Sequence, residues 1–182
     1  APFAVLRVCE IMNEILPPGV LNILSGYGPE CGAPLVAHPD VGKVTFTGSV
    51  ETGKIIARLA AEKLIPVTLE LGGKAPGAGA VTGVRFTRQG QSCTAASRIY
   101  VHESLHDRFV EALKARVDAM VMGDPLEEAT DIGTIVSKQQ YERVLGYIAQ
   151  GRADGGTALE ASRLPDDPRL SDGYFVRPVL FP

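Results

Sequence analysis

Apolar residues recur at helical spacing near the start of the chain: Val5, Val8, Cys9, Met12, Ile15 and Leu16 share one face. Pro17-Pro18-Gly19 ends that helix. Residues 20–24 (Val-Leu-Asn-Ile-Leu) read as a short buried strand, 25–29 as a turn, and 30–37 as a short helix broken by His38-Pro39-Asp40. A second strand over 43–46 turns at Thr47-Gly48-Ser49 into a long helix over 50–64, with Ile55, Ile56, Leu59 and Ala60 inward. Ile65-Pro66 ends the helix, and residues 67–71 form a third strand. Strand, helix, strand, helix, strand with short links predicts an α/β fold whose parallel sheet is built from βαβ units.

The second half alternates less regularly. Residues 75–84 are small-sided and uncharged, which fits either a loop or a join across missing residues. Residues 98–101 read as a strand. Ser104 is placed to cap a helix with Asp107 three positions on, and Leu105, Phe109, Leu113, Val117 and Met120 form its inner face. Gly123-Asp124-Pro125 ends that excursion. A further helix is expected over 138–149 with Val144, Tyr147 and Ile148 inward, a strand over 157–161, an acidic loop over 164–173, and a strand-like run over 174–181 interrupted by Pro178. No internal repeat is present. The chain opens in a helix without a basic n-region, so it does not begin with a signal peptide. It stops on the apolar run Val179-Leu180-Phe181-Pro182, and both ends read as cut.

Composition narrows the classes. The 182 residues are 45% hydrophobic and 21% charged, with net charge −3, as in an ordinary globular protein. There is no basic surplus for nucleic acid and no apolar run of the roughly 20 residues that span a bilayer. Cys9, Cys31 and Cys93 are far apart and odd in number, which argues against a zinc site or a disulfide framework and for a reducing, cytoplasmic setting. His38, His102 and His106 lie among polar residues without metal-ligand spacing, and no metal is expected.

Three stretches carry candidate chemistry. At Phe46-Thr47-Gly48-Ser49 a strand gives way to a helix, whose N-terminus suits a diphosphate; the run also fits an ordinary N-cap, and it is not a GxGxxG fingerprint. In Leu69-Glu70-Leu71-Gly72-Gly73-Lys74, Glu70 sits between leucines at the end of a strand. A desolvated carboxylate there would serve as a general base; a salt bridge, with Lys74 for example, would make it structural. In Gln89-Gly90-Gln91-Ser92-Cys93-Thr94-Ala95, small polar neighbours leave room for a substrate at the sulfur. Cys93 is therefore the candidate nucleophile, whereas Cys9 and Cys31 read as small hydrophobes.

The runs LELGGKAP and FTRQGQSC, in that order, resemble signatures of the NAD(P)-dependent aldehyde dehydrogenase superfamily. FTGS with the next glycine at Gly53 resembles its cofactor turn, and PPGVLNILSGYG, MGDPL, TDIGTIVS and GYFVRPVLF are similar to further family segments. The resemblance covers nearly the whole chain. It implies that Cys93 attacks an aldehyde carbon, that its backbone N–H is one oxyanion donor, and that Glu70 activates water for thioester hydrolysis. It also implies that Thr47, Gly48 and Ser49 lie near the nicotinamide and diphosphate, Gly28 near the adenine, and Leu71 by the nicotinamide. NAD or NADP is the implied cofactor, a small-molecule aldehyde the substrate, and a homodimer or homotetramer the assembly.

On that basis residues 1–66 are expected to be the later part of a Rossmann-like cofactor domain and 67–182 the opening of the catalytic domain, with a segment missing near 76–77. The oxyanion asparagine, a Lys-Pro ribose motif and a second ribose-binding glutamate fall outside the chain in the family's pattern, so this stretch alone is expected to be inactive. A thiol esterase or acyltransferase without a redox step, or an inactive fragment, are the rival readings. FTGS argues against the former, because a hydrolase has no use for a diphosphate turn.

Overall fold

The computed structural model describes residues 2–72, the backbone of 76–77, and 86–182. It divides by contacts into two units, Ala1–Gly72 and Gly73–Pro182.

The first unit opens with α1 (Phe3–Asn13). It forms where its apolar spacing predicts, but Cys9 is its one buried residue, and Phe3, Val5, Val8 and Ile15 stay exposed. A turn follows, and residues 20–24 form no strand, contrary to the sequence reading. A strand needs a backbone partner alongside it, and no described residue takes that place; Val20 and Leu24 are exposed instead. A five-residue π-helical turn, Gly28–Gly32, runs into α2 (Ala33–Ala37), which packs on α3 (Val50–Glu62).

Two of the three expected strands form the sheet of this unit, and the first runs on to Gly48, past the turn expected at Thr47. β1 (Val44–Gly48) and β2 (Val67–Leu71) run parallel, in register from Val44 opposite Val67 to Gly48 opposite Leu71. β2 therefore groups with the first unit, beyond the division at 66 that the sequence led us to expect. α3 packs against both strands. Val44, Phe46, Leu69 and Leu71 alternate with the exposed Thr45, Thr47, Thr68 and Glu70, the period-two pattern of a sheet covered on one face. Ile56 and Ala60 of α3 are buried as predicted, whereas Ile55 is half exposed. The helix ends on a left-handed residue, Leu64 (φ 56°), with Ile65 N–H donating to the Ala60 carbonyl at 3.1 Å. Lys63 Nζ closes the link back to the strand by donating to the carbonyls of His38 (2.6 Å) and Val41 (3.3 Å).

The second unit is built around α4 (His106–Asp118). Its buried Leu113 and Val117 pack with Ala161, flanked by Phe86, Ile99, Phe109, Met120 and Leu180. Met122, Ile132 and Phe175 form a second cluster that Phe86 and Met120 also touch. The strands here are short: β3 (Pro76–Gly77) pairs parallel with β4 (Arg98–Ile99), and β5 (Leu159–Glu160) antiparallel with β6 (Val179–Leu180). The expected omission near 76–77 adjoins stretches outside the described residues, and the small-sided run 75–84 lies outside them apart from 76–77.

α4 does not start at Ser104. His102 caps a 3-10 turn, Glu103–Leu105, its Nδ1 accepting from the Ser104 N–H at 3.2 Å; Ser104 is thereby taken into that turn, and the helix begins after it at His106. Ser162, with a left-handed backbone (φ 62°), donates from Oγ to the Met120 carbonyl (2.8 Å) and from N–H to Asp118 Oδ1 (2.9 Å). α5 (Lys138–Ala153) is capped by Ser137 and runs four residues beyond the predicted end; its Tyr147 faces outward, against expectation, beneath the Arg143 guanidinium. Glu160 on β5 pairs with both Arg152 of α5 and Arg177.

Candidate active site

Parallel strands end at the same side of a sheet, and this geometry assembles the first part of the site. In the register of β1 and β2, Thr47 stands opposite Glu70 and Gly48 opposite Leu71. Ser49, the next residue, is the N-cap of α3. Its Oγ accepts from the Thr52 N–H at 3.1 Å and meets Thr52 Oγ1 at 3.0 Å. Five of the seven predicted site residues thus share the C-terminal edge of one sheet, the position where ligands of open α/β sheets bind.

Two close approaches hold that edge. A Cβ on Gly48 would fall 2.4 Å from the ring of Phe46, and one on Gly53 would fall 2.6 Å from Leu71 Cδ2. The second contact ties the first turn of α3 to the residue that follows Glu70. Gly53 N–H is taken by the Ser49 carbonyl at 2.9 Å and Thr52 N–H by Ser49 Oγ, while the Val50 N–H has no acceptor among the described residues. A helix N-terminus with a donor left over attracts an anion.

Glu70 is exposed rather than desolvated as its sequence neighbours implied. Its strand lies on a two-stranded sheet with one covered face, and the alternation turns Glu70 away from that face with Thr68. Lys74, the salt-bridge partner considered from sequence, lies outside the described residues. Gly28 opens the turn before α2, with open space where a Cβ would stand.

Cys93 belongs to the second unit and is exposed and unbridged. It lies in a tight turn, closed by the Ala95 N–H donating to the Ser92 carbonyl at 3.1 Å, and the hydroxyls of Ser92 and Thr94 meet at 3.1 Å on either side of it. Its own N–H donates to none of the described residues. The chain reaches this turn through two left-handed residues, Gln89 (φ 52°) and Gly90 (φ 68°). Sequence inspection passed over Gln91, whose Oε1 accepts from the Val136 N–H at 3.0 Å, 45 positions away. Nothing local in the sequence signals a partner at that distance. No group of three metal-ligating side chains occurs among the described residues.

The first unit thus presents a parallel α/β edge with a capped helix, and the second an exposed thiol in an open turn. The family model described as "Aldehyde dehydrogenase family" matches residues 1–182, and the chain belongs to that family. It is 41% identical to an aldehyde dehydrogenase of Rhodospirillum rubrum, with 99% of this chain and 39% of the relative covered. It is 43% identical to the chloroplastic betaine aldehyde dehydrogenase of Amaranthus hypochondriacus, with 96% and 37% covered. Among solved structures, the NAD+ complex of an aldehyde dehydrogenase from Bacillus cereus is similar with a TM-score of 0.87 at 39% identity, with 99% of this chain and 38% of that one covered. The chain spans about two-fifths of the length of these relatives. The match to the Rhodospirillum protein runs over 197 positions, more than the 182 residues of this chain, so the relative carries residues with no counterpart here.

Proposed function

We propose that the complete protein oxidises an aldehyde to the carboxylic acid with NAD+ or NADP+. The Cys93 thiolate adds to the carbonyl carbon, and the resulting oxyanion is met by the Cys93 N–H. Loss of hydride from that carbon leaves a thioester on Cys93. Glu70 then takes a proton from water as the water oxygen bonds to the acyl carbon, and the Cys93 thiolate departs. When bound, the nicotinamide cofactor supplies the acceptor for the hydride. Thr47, Gly48 and Ser49 would hold its diphosphate side and Leu71 its nicotinamide side, with Gly28 toward the adenine.

The observation that carries this reading is the register of β1 and β2, which joins the capped N-terminus of α3 to the strand end bearing Glu70 and Leu71. A diphosphate turn beside a candidate base has a use in cofactor-linked oxidation and none in simple thiol-ester hydrolysis. The Bacillus cereus relative was solved as an NAD+ complex, which supports NAD+ as the cofactor. The free cysteines among the described residues support a reducing, cytoplasmic setting, and the complete protein is read as a homo-oligomer. No helix among the described residues is long and apolar enough to cross a membrane. The surplus positions in the Rhodospirillum alignment support a segment missing from this stretch, and its place near 76–77 rests on the sequence resemblance alone.

The test is rapid mixing of the complete protein with aldehyde and NAD+, read at the reduced-nicotinamide absorbance band. Turnover that disappears in Cys93→Ala, and becomes a burst followed by a slow steady rate in Glu70→Gln, is the expected result. Ester hydrolysis without any reduced cofactor would support the rival thiol esterase.

A further inference from the structure

The turn that carries Cys93 has little regular structure of its own. Between residues 86 and 97 the regular structure is one 3-10 turn, Phe86–Arg88, closed by Gln89 N–H to the Phe86 carbonyl at 2.8 Å. Gln91 N–H donates to the Arg88 carbonyl at 2.8 Å, across the two left-handed residues. Gln89 is not glycine, so its conformation is costly and persists only where the surroundings over-determine it. One anchor lies upstream, where Phe86 packs into both hydrophobic clusters.

The downstream anchor is a side chain. Gln91 Oε1 accepts from the Val136 N–H at 3.0 Å, and the Gln91 amide lies against that of Gln89. Val136 is the exposed end of a segment fixed in the core: Ile132 is 2% and Ile135 5% exposed, and Ile135 N–H donates to the Tyr174 carbonyl at 2.9 Å. The same segment lies against Gln89 at Gly133, where a Cβ would fall 3.5 Å from Gln89 Nε2. The 132–136 run therefore braces the 89–91 turn at two points.

We infer that Gln91 is a positioning residue: its side-chain amide fixes the Cys93 turn to the backbone of residue 136 and so sets where the sulfur and the Cys93 N–H stand. This rests on the reading of Cys93 as nucleophile. Gln91 and its bond are exposed, so water competes for both groups and the bond contributes little to overall stability. Catalysis is more demanding, since displacement of a nucleophile by about 1 Å costs on the order of a hundredfold in rate.

The experiment compares Gln91→Met and Gln91→Glu in the complete protein. Met matches the length of Gln without an equivalent acceptor, while Glu keeps a carboxylate oxygen for the Val136 N–H. The burst rate of cofactor reduction is taken at its pH-independent alkaline plateau, which removes any effect of the new charge on thiol ionisation. Gln91→Met is expected to lower that rate about tenfold or more, with the melting temperature and the KM for NAD+ nearly unchanged. Its plateau rate of iodoacetamide alkylation should stay within about twofold, because a small reagent does not need the sulfur aimed. Gln91→Glu should restore most of the burst rate. A parental burst rate in Gln91→Met overturns the inference, as does a loss that tracks the melting temperature and that Glu does not restore. Cys93→Ala, run alongside, separates the two claims. Aldehyde oxidation surviving in Cys93→Ala sinks the nucleophile reading and the inference with it, whereas an inactive Cys93→Ala beside a parental Gln91→Met sinks the inference alone.

Discussion

Ser49 stands where a five-residue strand gives way to a thirteen-residue helix, and its hydroxyl is engaged with the first turn of that helix. Cys93 stands in a stretch with neither strand nor helix around it, reached through two left-handed residues and braced by a side chain from within the turn. At the sheet edge, periodic backbone bonding sets the positions of Thr47, Ser49, Glu70 and Leu71 together. At the thiol turn, individual bonds between distant segments have that task. Glu70 apart, which is proposed to act as a base, substitutions should therefore act differently in the two places: at the edge through stability and cofactor affinity, at the turn through the chemical rate.

The largest effect tests the turn. Cys93→Ala in the complete protein should lower aldehyde oxidation by roughly a thousandfold or more, since the proposed thioester forms on its sulfur. Cofactor affinity, read by fluorescence titration with NAD+, should stay unchanged. Glu70→Gln follows, with steady turnover lowered on the order of a hundred- to a thousandfold and the burst amplitude kept. Loss of the burst in Glu70→Gln would place the carboxylate before hydride transfer and blur the division.

The other substitutions at the sheet edge should be milder. Gly53→Val brings branched carbons to the site where even a Cβ meets Leu71 Cδ2 at 2.6 Å. Overpacking of this kind costs about 1–3 kcal/mol, so the melting temperature should fall and the Kd for NAD+ should rise as Leu71 is displaced. A parental Kd there would detach Leu71 from the cofactor. At Ser49, Ala should cost about 1 kcal/mol of stability through the lost cap. Asp keeps an acceptor for Thr52 N–H and should hold the melting temperature, yet weaken NAD+ binding by setting a negative charge beside a diphosphate. If Ser49→Asp binds NAD+ as the parent does, the turn is a cap and nothing more.

The smallest effect lies away from both turns. The Lys114 ammonium, and after it the Ser162 N–H, hold the Asp118 carboxyl below its ordinary value. A carboxyl depressed in the folded state stabilises at pH above its unfolded value, and the contribution fades as pH falls through the folded value. The gap in melting temperature between the parent and Asp118→Asn should be constant from neutral pH to about pH 5 and narrow below about pH 4, near the ordinary carboxylate pKa.

The sequence was most legible where structure is local. The strand at 67–71 was read to the residue, and Ser49 as an N-cap needed only the strand before it and the helix after it. Glycines 48 and 53 sat in a run whose resemblance pointed to a cofactor turn. Legibility failed where a partner decides the outcome. Residues 20–24 have the composition of a strand and no neighbour to pair with, and Tyr147 has the spacing of a core residue but lies on an outward face. The desolvation expected for Glu70 assumed cover on both faces of its strand, and the described sheet has cover on one. Gln91 could not be picked out at all, since its meaning depends on a backbone N–H 45 residues away.

The most direct test of the account is the chemical state of Cys93 during turnover. The Glu70→Gln form of the complete protein, mixed with excess aldehyde and NAD+, is quenched in acid within the burst and cut with trypsin. The peptide of residues 89–98, released by cleavage after Arg88 and Arg98, is then weighed by mass spectrometry. The account predicts an acyl mass on Cys93 in one-to-one proportion to the reduced cofactor formed. Reduced cofactor appearing while the 89–98 peptide keeps its unmodified mass would contradict it.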